Sequence, residues 1–448
     1  MKQSSRTLRR LFRYPSVMVS LVLISILVAI SIYAMVSIPY EEAKILWRGG
    51  EEIWYANPRQ AAPEWFNWFS KQKKPVSFSL KSSDPEAVNS SISTDEKGNQ
   101  EITLTYDFEY TYDSFPQEVI LYFDATFAKK QPYAEAIWVN PEGKQTRLTN
   151  LVLTGRDSYR VSSDEKLKRF LRGVEPMQGL FQDPEQSEPT PLKGHYQVIV
   201  TAYTFEKDST VDAELVLHGT LAGWAGTDHL RRDLGIALLW GTPIALAFGL
   251  LAALGTTLIT ISIAAAGAWY RGWLEELIQR VTEVNLVLPF LPTLLMIGTF
   301  YSRSIWIILS ASILLNIFGA GIKTYRAVFM QIMESPYIEA ARSYGATDLR
   351  IIFKYMVPRV IPTLVPQIVS LIPAYVFIEA TLAVLGLGDP ILPTWGKVIN
   401  DAFTNSAHYE GLYYWILEPS LLLMFTGLAF SLLGFALDRV FNPRLREM

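Results

Sequence analysis

The groups in this chain that could make or break bonds are few and scattered. Cysteine is absent, which excludes disulfides, thiolate-bound metal and thiol catalysis. His195 and His218 stand far apart, and neither has a carboxylate, serine or second ligand at a spacing that builds a catalytic group or a metal site. No Gly-x-x-x-x-Gly-Lys-Ser/Thr loop cradles phosphates; the nearest fragment is Gly143-Lys144-Gln145. The expectation is a chain with no catalytic residue, no metal and no cofactor of its own. What its spacing does support is recognition between proteins. Around Glu339-Ala340-Ala341-Arg342-Ser343-Tyr344-Gly345, the residues Tyr337, Ala340, Ala341 and Tyr344 recur at helical spacing. They form a stripe of small residues between two aromatic rings, suited to a helix pressed into a groove on another protein. A solvated loop is the competing reading of the pattern alone.

Local signals bound that helix. Ser335-Pro336 places a capping residue before a proline at the first helical position, and Gly345 can take the left-handed backbone that stops it. Thr347 or Asp348 then caps a second helix expected to run to Pro358.

The elements that hold this segment are membrane spans. Half the residues are hydrophobic and 19% are charged, a composition that strains a wholly soluble reading. A span needs roughly 20 apolar residues to cross about 30 Å of hydrocarbon. Six uncharged stretches qualify: Pro15–Tyr40, Leu234–Tyr270, Val284–Ser302, Ser304–Ile322, Val360–Ile378 and Pro419–Leu437. The second is too long for one crossing, so its first part is expected along the interface and the crossing near Trp240–Ala266. The N-terminal stretch is expected to be a retained anchor, being long and lacking a small-x-small cleavage site. Its flank carries Lys2, Arg6, Arg9, Arg10 and Arg13 and no acid, which places the N-terminus in the cytoplasm. Six spans return the C-terminus, with Arg439, Arg444 and Arg446, to the same side, together with the 323–359 loop.

Between the first two spans lies a polar insert, about residues 38–219, expected outside the cell membrane. From Ile38 to His218 it holds 28 acids and 20 bases, against 43 and 40 in the whole chain. It opens with an aromatic-rich stretch (Trp47, Trp54, Tyr55, Trp65, Phe66, Trp68, Phe69), which either lies on the outer leaflet or packs against the rest of the insert. Alternating segments then predict antiparallel strands at Val76–Leu80, Ile102–Tyr110, Val119–Phe123, Ala136–Val139, Leu148–Leu153, Tyr196–Tyr203 and Val211–Leu217. A helix is expected over Asp164–Arg172, with Ser162 and Glu165 as a capping box and Gly173 as its stop. Glu175–Pro191 reads as a proline-rich loop. An immunoglobulin-type sandwich is the default for this strand count.

The 335–359 segment resembles the Glu-Ala-Ala motif of membrane subunits of bacterial and archaeal ABC importers, with Val357 in place of the usual Leu before Pro358. Other stretches resemble one branch, the C-type subunit of dipeptide, oligopeptide and nickel permeases. Gly226-Thr227-Asp228-His229-Leu230-Arg231-Arg232-Asp233 is similar to that branch's Gly-Thr-Asp-x-x-Gly-Arg-Asp, with Arg231 at a glycine position. Tyr270-Arg271-Gly272-Trp273 resembles its Tyr-Gly-Gly-Trp, and Leu385-Gly386-Leu387-Gly388 through Pro393-Thr394-Trp395-Gly396 its last outer loop. The ending Asn442-Pro443-Arg444-Leu445-Arg446 is close to its Asp-Pro-Arg-Leu-Arg. The resemblance covers about half the chain; the large insert departs from it.

The resemblance implies a polytopic α-helical membrane protein with six transmembrane helices, the type I ABC importer fold; the alternating segments add an inserted mainly-β extracytoplasmic domain, sandwich-like by strand count. Residues 1–37 would form the cytoplasmic N-terminus and first helix, 38–219 the insert, and 220–448 the transmembrane domain with helices 2–6. It also implies a permease subunit for peptides or similar small solutes in the bacterial or archaeal plasma membrane. The partners implied are a homologous permease subunit, two ATPase subunits that bind ATP and magnesium, an external substrate-binding protein and the lipid bilayer, with no nucleic acid. Tyr337, Glu339, Ala340, Ala341, Tyr344 and Gly345 would couple to the ATPase. Asp228, Arg232 and Asp233 could form an ion-paired knot at the start of the second span, or remain unpaired interfacial charges. Glu379 is costly at its depth, so it either lines a path or gate, or holds two helices by a local hydrogen bond. Asn285 and Pro289 either line the path or kink a helix. The insert's acidity, position and size suit a cap that docks the binding protein. A channel or a membrane-anchored sensor is the alternative class; copurification with an ATPase separates it from an importer.

Overall fold

The structure is a computed structural model describing residues 15–84, 88–95, 99–183, 189–206 and 208–441. The basic N-terminal residues, the closing Asn442–Arg446 and the middle of the 175–191 segment lie outside the described residues. The chain forms two compact units, one of residues 1–48 with 236–448, the other of residues 49–235. The first opens with helices α1 (Pro15–Ser37) and α2 (Tyr40–Arg48).

The second unit is a sandwich of two antiparallel sheets. Its strands are β1 (Phe78–Lys81), β2 (Val88–Thr94), β3 (Gln100–Tyr110), β4 (Glu118–Thr126), β5 (Tyr133–Val139), β6 (Gln145–Val152), β7 (Arg156–Arg160), β8 (Gly194–Thr204) and β9 (Thr210–His218). The sheets run β1-β9-β4-β7 and β2-β3-β8-β5-β6. Alternation does the sorting: Leu104, Tyr106, Phe108 and Tyr110 of β3 and Tyr196, Val198 and Val200 of β8 enter one core with Val119, Leu121, Leu215 and Leu217 from the other sheet. Phe108 stacks on Tyr196 at 5.8 Å, and Phe181 meets Trp138 edge-on at 4.9 Å. Two strands exceed expectation, β2 and β7. Both are edge strands, with one side open and little apolar pattern to read.

Two local readings need correction. Helix α3 (Glu165–Phe170) is capped by Asp164, which accepts from the Lys166 and Leu167 N–H groups, while the Ser162 hydroxyl is bonded to Glu118. A carboxylate one residue before the helix is the better placed acceptor. The expected proline-rich loop contains helix α4 (Pro176–Phe181), which starts on a proline and delivers Phe181 to the core.

A short helix over Glu51–Trp54 also belongs to the second unit, and the helices from Leu234 onward belong to the first, apart from the opening Leu234–Gly235. Helix α5 (Leu234–Tyr270) is one unbroken element of 37 residues with Pro243 inside it. The expected third and fourth spans are each a bent pair. Helices α6 (Gly272–Val287) and α7 (Phe290–Phe300) meet at 83°, and α8 (Ile305–Ile317) and α9 (Ala320–Met333) at 46°. Leu288 before Pro289 is extended, as a residue preceding proline must tend to be, and Gly319 breaks the second pair. Helix α10 (Pro336–Ser343) comes next, then α11 (Asp348–Ile351), a π turn over Ile352–Met356, and α12 (Val357–Leu382). Pro358 does not end this helix as expected. The π turn re-registers the backbone just before the proline, whose missing N–H then falls in the first turn of α12. Gly386, at φ +89°, closes the run. Helices α13 (Trp395–Thr404) and α14 (Tyr414–Phe441) complete the unit, with α14 packed on both α1 and α12. Among the described residues, four helices are long and apolar enough to cross a membrane, or up to six if each bent pair is one span.

Candidate functional site

Helix α10 presents two unlike faces. Ile338 and Ala341 turn inward and join Ala268, Trp269, Phe329, Ile351, Ile352 and Met356 in one buried cluster. The Arg342 guanidinium lies 4.2 Å from the centre of the Trp269 ring, a cation–π contact that ties α10 to the end of α5. Tyr337, Glu339, Ala340, Ser343 and Tyr344 face out, Tyr344 with 90% of its surface exposed. The exposed stripe is therefore narrower than the spacing implied, because Ala341 is spent on internal packing.

The helix ends in a Schellman motif. The Gly345 N–H donates to the Arg342 carbonyl at 2.9 Å, and the Ala346 N–H to the Ala341 carbonyl at 3.1 Å. Gly345 has φ +74°, the left-handed backbone that a side chain disfavours. An Arg326–Glu275 ion pair links α9 to α6.

The Gly226–Asp233 turn, part of the second unit, is instead closed on itself. Asp228 is fully buried; its carboxylate accepts from the Leu230 and Arg232 N–H groups, each at 2.9 Å, and from Arg232 Nε at 2.6 Å. Thr227 Oγ1 accepts from the Ala61 N–H and donates to the Pro58 carbonyl. Asp233 accepts from the Gly235 N–H at 2.7 Å, at the start of α5, and burial raises its carboxyl above the usual carboxylate range. Arg231 donates to the Asn57 carbonyl at 2.7 Å and stands 3.4 Å from His218 Nδ1. Burial, then the Arg231 charge, pulls His218 down to about 4, so the ring is neutral.

The three membrane residues singled out from sequence do not share a site. Glu379 is buried and hydrogen-bonded to the Thr394 side chain, which also caps α13. Asn285 Nδ2 donates to the carbonyls of Leu315 and Phe318, at 2.7 and 3.2 Å, where α8 ends without helical partners for them. Pro289 sits at the 83° bend between α6 and α7.

Residues 258–447 match the family of binding-protein-dependent transport system inner membrane components. The glutathione transport system permease protein GsiD of Pectobacterium atrosepticum is 29% identical over 229 residues, 50% of this chain and 74% of that protein. The dipeptide transport system permease protein DppC of Bacillus subtilis is 29% identical over 227 residues, 50% and 69% of the two chains. A "Putative peptide transport system permease protein" of Brucella suis biovar 1 is 32% identical over 227 residues, 49% and 73%. The chain belongs to this permease family.

It is thus a multi-pass inner-membrane transport subunit and not an enzyme. Two features of the permease now have a physical account. Arg231 and Arg271 stand where the family pattern has glycine, and both keep a positive φ, +66° and +53°. For Arg231 the strain, about 1–2 kcal/mol, is offset by its bond to Asn57. Asp389, unremarked in the sequence beyond its charge, accepts from the Ile305 N–H at 2.9 Å and from the Ile391 N–H at 2.8 Å. It caps α8 from 84 residues away, a long-range pairing that local pattern cannot disclose.

Proposed function

We propose that this permease forms half of the translocation pathway of an ATP-driven importer for peptides or similar small solutes. The names of its relatives supply that substrate class. Its partners in this reading are a homologous permease subunit, two separate ATPase subunits and an external substrate-binding protein. Both termini lie in the cytoplasm, and residues 38–219 lie outside, as the basic flanks of the first and last spans favour.

The outer face of α10 is the contact to the ATPase. The observation that carries this is the division of the helix: Ile338, Ala341 and Arg342 fix one face to the bundle, while Tyr337, Glu339, Ala340 and Tyr344 are left bare. A helix glued on one side and empty on the other transmits displacement. Gly345 supplies the sharp stop that keeps it a separate rigid piece. Nucleotide closure of the ATPases would push α10 and bias the bundle between inward-open and outward-open states. Asp228, Arg232 and Asp233 hold the lead-in to α5. Glu379 and Asn285 serve by tying helix ends, and Pro289 by setting a bend, so their effect on the pathway is through its shape.

The test is copurification of the ATPase with full-length permease and ATP-fuelled peptide uptake in vesicles. Ala340→Trp, on the bare face, should abolish both while the permease remains folded. Uptake unchanged by Ala340→Trp would overturn the reading.

A further inference from the structure

We infer that the Glu64–Lys74 loop of the sandwich unit is a membrane-surface anchor that inserts Trp68 and Phe69 among the headgroups of anionic lipids. Most of the aromatic-rich stretch before the strands is absorbed by protein: Trp47 is buried, and Tyr55 bonds Glu214 and meets Tyr122 edge-on. Trp68 and Phe69 are the exception, 83% and 81% exposed side by side.

They are not exposed by slack. Residues Glu64–Trp68 form a tight 3₁₀ turn, continued by bonds from the Phe69 and Ser70 N–H groups to the Phe66 carbonyl. The Asn67 side chain then clasps Lys74 twice, donating to its carbonyl and accepting from its N–H, both at 2.9 Å. Trp65 Nε1 donates to the Trp224 carbonyl and Glu64 accepts from the Gly223 N–H, which pins the base of the loop. A rigid loop that holds a tryptophan and a phenylalanine in water needs something to cover them. Beside them Trp65, Phe66 and Phe69, with Ser70 and Lys74, line an open cavity of about 430 Å³.

Charge selects the occupant. Lys71, Lys73 and Lys74 directly follow the aromatics and are exposed. The acids nearby are already engaged, Glu64 by Gly223 and Asp113 by Lys193 and the Lys73 N–H. The insert around them is acidic, 28 acids against 20 bases. An anionic surface is therefore attracted by this tip and repelled by the body, and the anionic surface that the chain itself supplies is the bilayer that α1 and α5 enter. Aromatic rings with adjacent lysines are the composition that rests at the headgroup level. The chain is already committed to a bilayer on both sides of the insert, by α1 and α5, so a shallow insertion acts at high effective concentration.

The absence of cysteine allows a direct test on the full chain. Gln72→Cys, carrying a spin label, is compared with Ser91→Cys on exposed β2, both in nanodiscs of phosphatidylcholine with or without phosphatidylglycerol. In phosphatidylglycerol discs, access of a water-soluble nickel chelate to residue 72 should fall about threefold or more below that at residue 91. Trp68→Ser with Phe69→Ser should restore access, and Lys71→Gln, Lys73→Gln and Lys74→Gln together should erase the difference between the two lipids. Equal access at residues 72 and 91 in anionic discs would overturn the inference. So would shielding that survives loss of both aromatics, or shielding that appears only when a soluble binding protein is added.

Discussion

Two short polar segments of the permease, Gly226–Asp233 and Pro336–Gly345, use similar residues in opposite ways. In the first, the Asp228 carboxylate is closed on backbone N–H groups and on Arg232, with no part of it exposed. In the second, an inward face of Ile338 and Ala341 is packed while Glu339, Ala340 and Tyr344 remain bare. Charge alone does not distinguish a structural knot from a docking surface. What distinguishes them is whether the polar groups are satisfied within the chain. The turn should therefore fail by unfolding, and the helix by losing a partner.

The sharpest way to break this contrast is Asp228→Ala. It breaks the buried Asp228–Arg232 pair and strips the Leu230 and Arg232 N–H groups of their acceptor, which costs about 3–5 kcal/mol. Thermal unfolding of the purified permease should show the loss, and an unchanged melting temperature would mean that the turn is not a closed knot.

Acid should attack the same neighbourhood through His218. Its folded-state value of about 4 lies below the unfolded 6.5, so between these pH values the unfolded chain binds a proton that the folded one does not. Stability is full above pH 6.5 and falls by about 2–3 kcal/mol as pH drops through this window. Protection of the β9 amides, taken relative to intrinsic exchange at each pH, should fall on acidification in the full chain, and His218→Gln should flatten that dependence.

On the other side of the comparison, Gly345→Ala strains the left-handed backbone by about 1–2 kcal/mol. No atom lies within 4 Å of the added Cβ, so the effect is purely conformational. ATP-stimulated uptake should fall more than thermal stability does. Tyr344→Ala should be smaller still in stability, within about 0.5 kcal/mol. It should nonetheless reduce ATPase copurification, since 90% of that ring's surface faces solvent.

The same contrast explains what sequence could tell. The α10 helix, its glycine stop and seven of nine strands are local events, carried by caps, prolines and alternation, and were legible. The edge strands β2 and β7 were not, because half of each strand's environment is solvent and apolar residues are sparse there. Nor was the assignment of Ala341 to the inner face: helical spacing groups residues into a stripe but does not say which edge of it the bundle covers. Pro289 read as either a kink or part of the path, but the 83° and 46° breaks of the third and fourth spans were not legible, because hydropathy counts residues and is blind to bends. Pro289 and Gly319 were visible, yet only the packed structure shows Asn285 rescuing the carbonyls of Leu315 and Phe318 at the α8 end. The roles of Asp389 and Arg342 were not legible either, because their partners lie 84 and 73 residues away.

The central claim is that the bare face of α10 meets a nucleotide-driven ATPase. With no native cysteine in the way, Ala340→Cys and Tyr344→Cys can be cross-linked in inside-out vesicles of cells that express the complete assembly, with Ser91→Cys as the control. Both α10 positions should join the ATPase subunit, in a yield that changes when ATP is added, and the control should not. Failure of either α10 position to cross-link while ATP-fuelled uptake proceeds, or labelling of those positions from outside intact cells, would contradict the account.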